Sequence, residues 1–209
     1  KEFFPENEIA VLSGPSFASE VAISKPTAVT IASGTLEFAK YLTEQLGSRS
    51  LRPYASKDII GVEIAGAIKN VIAIGCGIVI GKDLGENARA AFMTRGLREM
   101  TRLAVSLGGK QETMMGLAGI GDLVLTCGST QSRNMSLGIA LGQGNKLQDI
   151  LSKRQSVAEG VSTALAAQQL AKKLGVDMPL VDAIASVLHH NANIDETIAQ
   201  LLARPFTAE

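Results

Sequence analysis

Ile59-Ile-Gly-Val-Glu-Ile-Ala-Gly-Ala-Ile-Lys-Asn-Val-Ile-Ala-Ile-Gly-Cys-Gly-Ile-Val-Ile80 is long and apolar enough to cross a bilayer, and whether it does so decides the fold. Glu63, Lys69 and Asn70 fall inside the run, where charged and amide groups are expensive in hydrocarbon. Five glycines also interrupt residues 61–81, a pattern that lets helices approach closely. The stretch therefore reads as a buried core helix with Asp58 placed to cap its start, and no membrane span is expected.

Upstream of Lys57 the texture is α/β. Glu8-Ile-Ala-Val-Leu-Ser-Gly-Pro15 is a short apolar run ended by a Gly-Pro breaker, as expected of a buried parallel strand. Residues 17–23 suit a turn or two of helix, and Thr27–Ala32 is a second β-rich run. Leu36–Leu46 has a helical period and stops at Gly47, and Leu51–Tyr54 suits an edge strand. Two or three strands with one covering helix do not make a stable sheet alone, so the start of this unit is expected to lie upstream.

Downstream the texture is helical throughout. Asn87–Leu107 is amphipathic and ends at Gly108-Gly109, and Arg133–Leu141 is closed by Gly142-Gln-Gly144. Val161–Leu174 stops at Gly175, Pro179 opens a helix running to about His190, and Asn193 with Glu196 begins the last one. The expected division is residues 1–57 and 58–209.

Twenty lysines and arginines balance twenty aspartates and glutamates, which argues against a broad nucleic-acid or anionic-membrane surface. Cys76 and Cys127 have no zinc-like spacing, no metal site is expected, and both read as small buried hydrophobes in a reduced, cytosolic setting. Lys1-Glu-Phe-Phe-Pro5 is not followed by a signal-like apolar core. There is no initiator methionine, so a piece of a longer protein is expected.

Lys69 stands on a small-residue helix surface formed by Val62, Ala65, Gly66, Ile72 and Ala73. Such an amine suits general acid–base work, the alternative being a lysine that snorkels to solvent. Gly116–Asn134 packs three glycines into six residues, then Asp122, and closes with Ser132-Arg133-Asn134 at a helix start. A hydroxyl, a guanidinium and an amide at a helix N-terminus match a phosphate monoester beside hydroxyls, although a serine cap before a solvated arginine has the same pattern. Asp122 reads as a loop cap or as a carboxylate that pairs with Lys69 or takes a substrate hydroxyl. Gly14-Pro-Ser-Phe-Ala18 lies where ligands bind in open parallel sheets. His189 and His190 read as solvated surface residues.

Leu12-Ser-Gly-Pro-Ser-Phe-Ala18, Gly66-Ala-Ile-Lys-Asn-Val71, Gly119-Ile-Gly-Asp-Leu123 with Gln131-Ser-Arg-Asn134, and Val157-Ala-Glu-Gly160 closely resemble, in order and spacing, the NAD(P)-dependent sn-glycerol-3-phosphate dehydrogenases of the bacterial type. The resemblance covers essentially the whole chain. It implies an α/β remnant plus an all-α part: the last portion of a Rossmann-type NAD(P)-binding domain over 1–57, then a helical substrate and dimerisation domain of the 6-phosphogluconate dehydrogenase C-terminal type over 58–209. The glycine-rich dinucleotide fingerprint and a second functional lysine expected before the Ser-Gly-Pro turn are not in the sequence.

Carried over by position, the resemblance makes Lys69 the proton donor and acceptor, with Asp122 orienting it. Gly14, Ser16, Lys69, Asp122, Ser132, Arg133 and Asn134 would contact sn-glycerol 3-phosphate, and Ala18, Arg133, Val157 and Glu159 the NAD or NADP cofactor. Met135 departs from relatives that often carry a basic residue there. The implied reaction interconverts dihydroxyacetone phosphate and sn-glycerol 3-phosphate, supplying glycerol phosphate for phospholipid synthesis. A related two-domain hydroxy-acid or sugar-phosphate dehydrogenase is one alternative. A non-catalytic helical dimerisation module is another, since the glycine-spaced helices over 58–81 and 88–107 suit an interface between two copies.

Overall fold

The structure, a computed structural model, describes residues 6–153 and 158–205. Three strands form its sheet: β1 (Ala10–Ser13), β2 (Thr27–Ser33) and β3 (Leu51–Ser56), with β2 in the middle. β2 and β3 are parallel, from Thr27 opposite Leu51 to Ala32 opposite Ser56. Helix α2 (Leu36–Leu46) makes their crossover, its start capped by the Thr35 hydroxyl accepting from the Phe38 amide at 3.3 Å.

β1 corrects the expectation of a buried parallel strand. It runs antiparallel to β2, with Ala10 opposite Ser33 and Ser13 opposite Thr30, and Leu12 is 51% exposed. The connection back to β2 holds only the five-residue helix α1 (Ala18–Ala22), too little for the usual helical crossover between parallel strands. The strand is also apolar on both faces, which hides the period of two that would have marked it as half-exposed.

The sheet ends at Ser56, one residue before the texture change read at Lys57. From there the chain is helical: α3 (Ile59–Gly81), α4 (Gly85–Ser106), α5 (Gln111–Met114), a single π-helical turn over Leu117–Gly121, α6 (Asp122–Gly128), α7 (Arg133–Gly142), α8 (Leu147–Ser152), α9 (Gly160–Leu174), α10 (Pro179–His189) and α11 (Ile194–Leu202). The expected caps form: Asp58 accepts from the Gly61 amide at 2.9 Å, and Asn193 from the Asp195 and Glu196 amides.

Helix α3 has the length and composition of a membrane span but lies in the middle of the helical layer. Ile68, Ile72 and Ile74 on α3 are buried with Met100, Leu103, Leu123 and Leu137 from the surrounding helices. Its glycine spacing serves a contact inside the chain rather than one between copies. A Cβ on Gly138 of α7 would stand 2.9 Å from the Gly77 Cα of α3, so the two backbones touch where side chains would keep them apart. A second, smaller cluster of Ala32, Val62 and Ala118, with Val11 and Ile59 against it, joins the sheet to the helices. The functional side chains gather along that seam.

Candidate active site

β1 delivers the chain to a turn at the foot of α3. Gly14 has φ 146°, and a Cβ there would lie 2.9 Å from the Val29 Cα, so the turn requires glycine. The Ser16 hydroxyl donates back to the Gly14 carbonyl at 3.0 Å, which keeps the turn tight. Pro15 packs beside Gly121, 3.7 Å from where a Cβ would stand, and the Ser19 hydroxyl donates to the Gln131 amide oxygen at 3.4 Å. The turn after β1 is thereby held against both the glycine-rich π turn and the segment leading into α7.

The π turn hands the chain to α6 at Asp122, so this aspartate opens a helix rather than capping a loop turn. Its carboxylate pairs with the Lys69 ammonium of α3; the aspartate side chain is 3% exposed and the lysine 19%. Thr126, one helical turn along α6, donates its hydroxyl to the other Asp122 oxygen at 3.2 Å. The carboxylate is thus held from both sides, and the ammonium it fixes is the member of the pair that reaches solvent.

Beside Lys69, Asn70 is buried. Its side-chain amide donates to the Gly66 carbonyl at 3.2 Å, and its oxygen accepts from the Asn134 amide at 3.0 Å. The Asn134 oxygen accepts in turn from the Gly160 backbone amide at 3.0 Å. This chain of amides ties α3, α7 and the start of α9 together. Ser132 caps α7 by accepting from the Met135 amide at 3.2 Å. Ser132 and Asn134 are therefore engaged within the protein, while Arg133 between them projects outward and faces Glu159, 3.8 Å away.

A cavity of about 570 Å³ opens along this seam, lined among others by Ser13, Glu63, Lys69, Asn70, Arg133 and Glu159. Its size lies in the range of small-ligand sites. Of the residues singled out in the sequence, Lys69, Arg133 and Glu159 line it. Asp122 acts on it through Lys69, Gly14 and Ser16 form the adjoining turn, and Ala18 is exposed at the start of α1. Val157 lies outside the described residues. Thr126 and Asn70 were not assigned roles from the sequence. Thr126 sits four residues after Asp122, a spacing that puts the two on one helix face and that a helical reading of 122–128 exposes.

Two other readings are settled by contacts. Cys76 and Cys127 are both buried and meet each other; that contact and their burial push the Cys127 thiol upward, which suits an inert thiol. His189 is not a free surface residue, because its Nε2 lies 2.8 Å from the Val161 carbonyl and ties α10 to α9.

A guanidinium at a helix start and an ammonium held by a buried carboxylate, facing one cavity, can grip an anion at one end of a ligand and exchange a proton at the other. Residues 58–199 match the family model described as the NAD-dependent glycerol-3-phosphate dehydrogenase C-terminus, and residues 1–39 the model of the corresponding N-terminus. A glycerol-3-phosphate dehydrogenase [NAD(P)+] of Maricaulis maris is 54% identical over 209 residues, covering all of this chain and 63% of that protein. One from Parvibaculum lavamentivorans is 52% identical over 208 residues, covering all of this chain and 62% of its own. The crystal structure of glycerol-3-phosphate dehydrogenase from Coxiella burnetii superimposes with a TM-score of 0.91 at 46% identity, over 94% of this chain and 61% of that one. The chain thus spans less than two thirds of the length of these relatives.

Proposed function

Because the chain belongs to the NAD-dependent glycerol-3-phosphate dehydrogenase family, we propose that it carries the substrate-gripping and proton-transfer part of an enzyme interconverting dihydroxyacetone phosphate and sn-glycerol 3-phosphate. The observation that carries this reading is that Lys69, clamped by Asp122, and Arg133, at the start of α7, line one cavity.

In this reading the phosphate lies against Arg133 and the first turn of α7, where a planar cation and the positive end of a helix favour an anion. The C2 oxygen faces Lys69. In the direction of reduction the ammonium donates its proton to that oxygen as negative charge develops there, and in oxidation the amine takes the hydroxyl proton back. Asp122 and Thr126 act through Lys69 by fixing the direction of its donors. A nicotinamide cofactor, when bound beside the cavity, would supply or accept the hydride at C2. Arg133 and Glu159 present a donor and an acceptor at the cavity mouth, a set that suits a carboxamide, and so fit the nicotinamide end of such a group. A cytoplasmic setting and supply of glycerol phosphate to phospholipid synthesis belong to the same reading.

Calorimetric titration of the chain tests it. sn-Glycerol 3-phosphate is expected to bind, and glycerol, which lacks the phosphate, is not. Equal binding of both, or of neither, counts against the assignment.

A further inference from the structure

The Lys69 cavity has an end that the grip described above leaves unused. Its polar residues follow one another along α3. Asn70 is tied through Asn134 to the start of α7, which puts Arg133 at the far end. Lys69 comes next, Gly66 lies nearly one turn before it, and Glu63 nearly one turn before that. At 1.5 Å per residue, Glu63 is about 10 Å back along the helix axis from Asn70.

Ser13 stands over Gly66. Val11 of β1 packs on the cluster that contains Val62 of α3, and the alternation of a strand turns Ser13, two residues on, toward the same helix. The Ser13 hydroxyl oxygen would lie 3.1 Å from a Cβ on Gly66, so the missing side chain leaves room for a hydroxyl on the cavity wall, one turn from Lys69. Ser16, Ser19 and Ser33 each donate to an oxygen of the protein, whereas among the described residues the Ser13 hydroxyl has no hydrogen-bond partner. Glu63 is exposed and, among the described residues, has neither a hydrogen bond nor an ion pair. Lys69, Asn70 and Arg133 in the same cavity all have partners.

We propose that Ser13 and Glu63 form the C1 end of the ligand site and set its selectivity. With the phosphate at Arg133 and the C2 oxygen at Lys69, a three-carbon ligand directs C1 toward Ser13, whose hydroxyl bonds the C1 hydroxyl. Glu63, beyond it, places negative charge where a neutral hydroxymethyl group is accepted and a second anionic group is repelled. The two residues thereby select a phosphorylated hydroxy ketone over a phosphorylated keto acid. Arg133 and Lys69 cannot make that choice, because both are cations and would attract the added carboxylate. The inference rests on the ligand orientation proposed above.

Calorimetric titration with three ketone phosphates that differ only at C1 tests it, with circular dichroism to verify folding. Dihydroxyacetone phosphate carries a hydroxymethyl group there, hydroxyacetone phosphate a methyl and 3-phosphohydroxypyruvate a carboxylate. The unaltered chain is expected to bind dihydroxyacetone phosphate about three- to tenfold more tightly than hydroxyacetone phosphate, and Ser13→Ala to bring that ratio close to one. It is expected to bind 3-phosphohydroxypyruvate at least about tenfold more weakly than dihydroxyacetone phosphate, and Glu63→Gln to narrow that gap at least about threefold. Parent ratios in either variant, or a parent chain that does not discriminate at C1, would overturn the proposal, while its binding of dihydroxyacetone phosphate would still uphold the grip by Arg133 and Lys69. A chain that binds none of the three overturns both.

Discussion

The Lys69 ammonium and the Asp122 carboxylate meet across a gap of 53 positions in sequence, joining the middle of α3 to the first residue of α6, with the carboxylate almost wholly buried and the lysine partly open to the cavity. The asymmetry matters: the acid is a fixed support, and the amine is the part a ligand can touch.

Removing one partner strands the other. Lys69→Met leaves a buried carboxylate with only the Thr126 hydroxyl, and is expected to cost about 1–3 kcal/mol in urea unfolding. Adding Asp122→Leu to that variant is expected to recover much of the loss, since an apolar pair carries no stranded charge. A Lys69→Met protein as stable as its parent would show that the pair does not hold α6 to α3.

Arg133 is expected to act on binding. Its guanidinium lies at the cavity mouth, more than half exposed, so Arg133→Ala should leave the melting temperature nearly unchanged. A lost charge-assisted contact of about 1.5–3 kcal/mol corresponds to roughly 10- to 100-fold weaker binding of sn-glycerol 3-phosphate by calorimetry. Unchanged affinity would remove Arg133 from the phosphate site.

Gly138→Ala probes the closest helix contact. The added methyl would meet the Gly77 Cα at 2.9 Å and press on the Ile74 carbonyl, so α3 and α7 must separate. The expected cost is about 1–3 kcal/mol or more, read by equilibrium unfolding. A neutral outcome would mean that the two helices are not in backbone contact.

Glu99 gives a pH signature. Its carboxylate on α4 accepts from the Leu180 and Val181 amides at the start of α10, and burial pushes its pKa from the usual 4.5 up to about 7 against those two amides. Between these values the folded protein holds a proton that the unfolded chain has released. The contribution of this group is therefore fully present below pH 4.5 and lost as pH rises through about 7, a change on the order of 3 kcal/mol. Unfolding free energies measured across this range should fall for the parent relative to Glu99→Gln, and parallel curves would contradict the shift.

Much of this was legible in the sequence because it rests on local rules. Asp58 and Asn193 cap helices as their side-chain chemistry dictates, and the glycines of α3 announced close packing. The direction of β1 was not legible, since an apolar strand on a sheet edge looks like a buried one when both faces are apolar. Nor was the partner of the α3 glycines, because a small-residue stripe fits an internal helix as well as a second copy. At the site, residue types gave Lys69, Asp122 and Arg133, but only the fold showed that Ser132 and Asn134 are engaged in holding α7. Thr126 stays hidden in the sequence because Asp122 reads as a loop cap or as a partner of Lys69, and the relation between Thr126 and Asp122 exists only on a helix.

The central claim is that Lys69 moves the proton. Its most direct test is single-turnover reduction of dihydroxyacetone phosphate, followed by loss of NAD(P)H absorbance, in a fusion of this chain with the part of the Maricaulis maris relative that it does not span. Lys69→Ala is expected to fold, to bind sn-glycerol 3-phosphate, and to lose about 10²- to 10⁴-fold in kcat. A folded Lys69→Ala fusion that turns over within a few-fold of its parent would contradict the assignment.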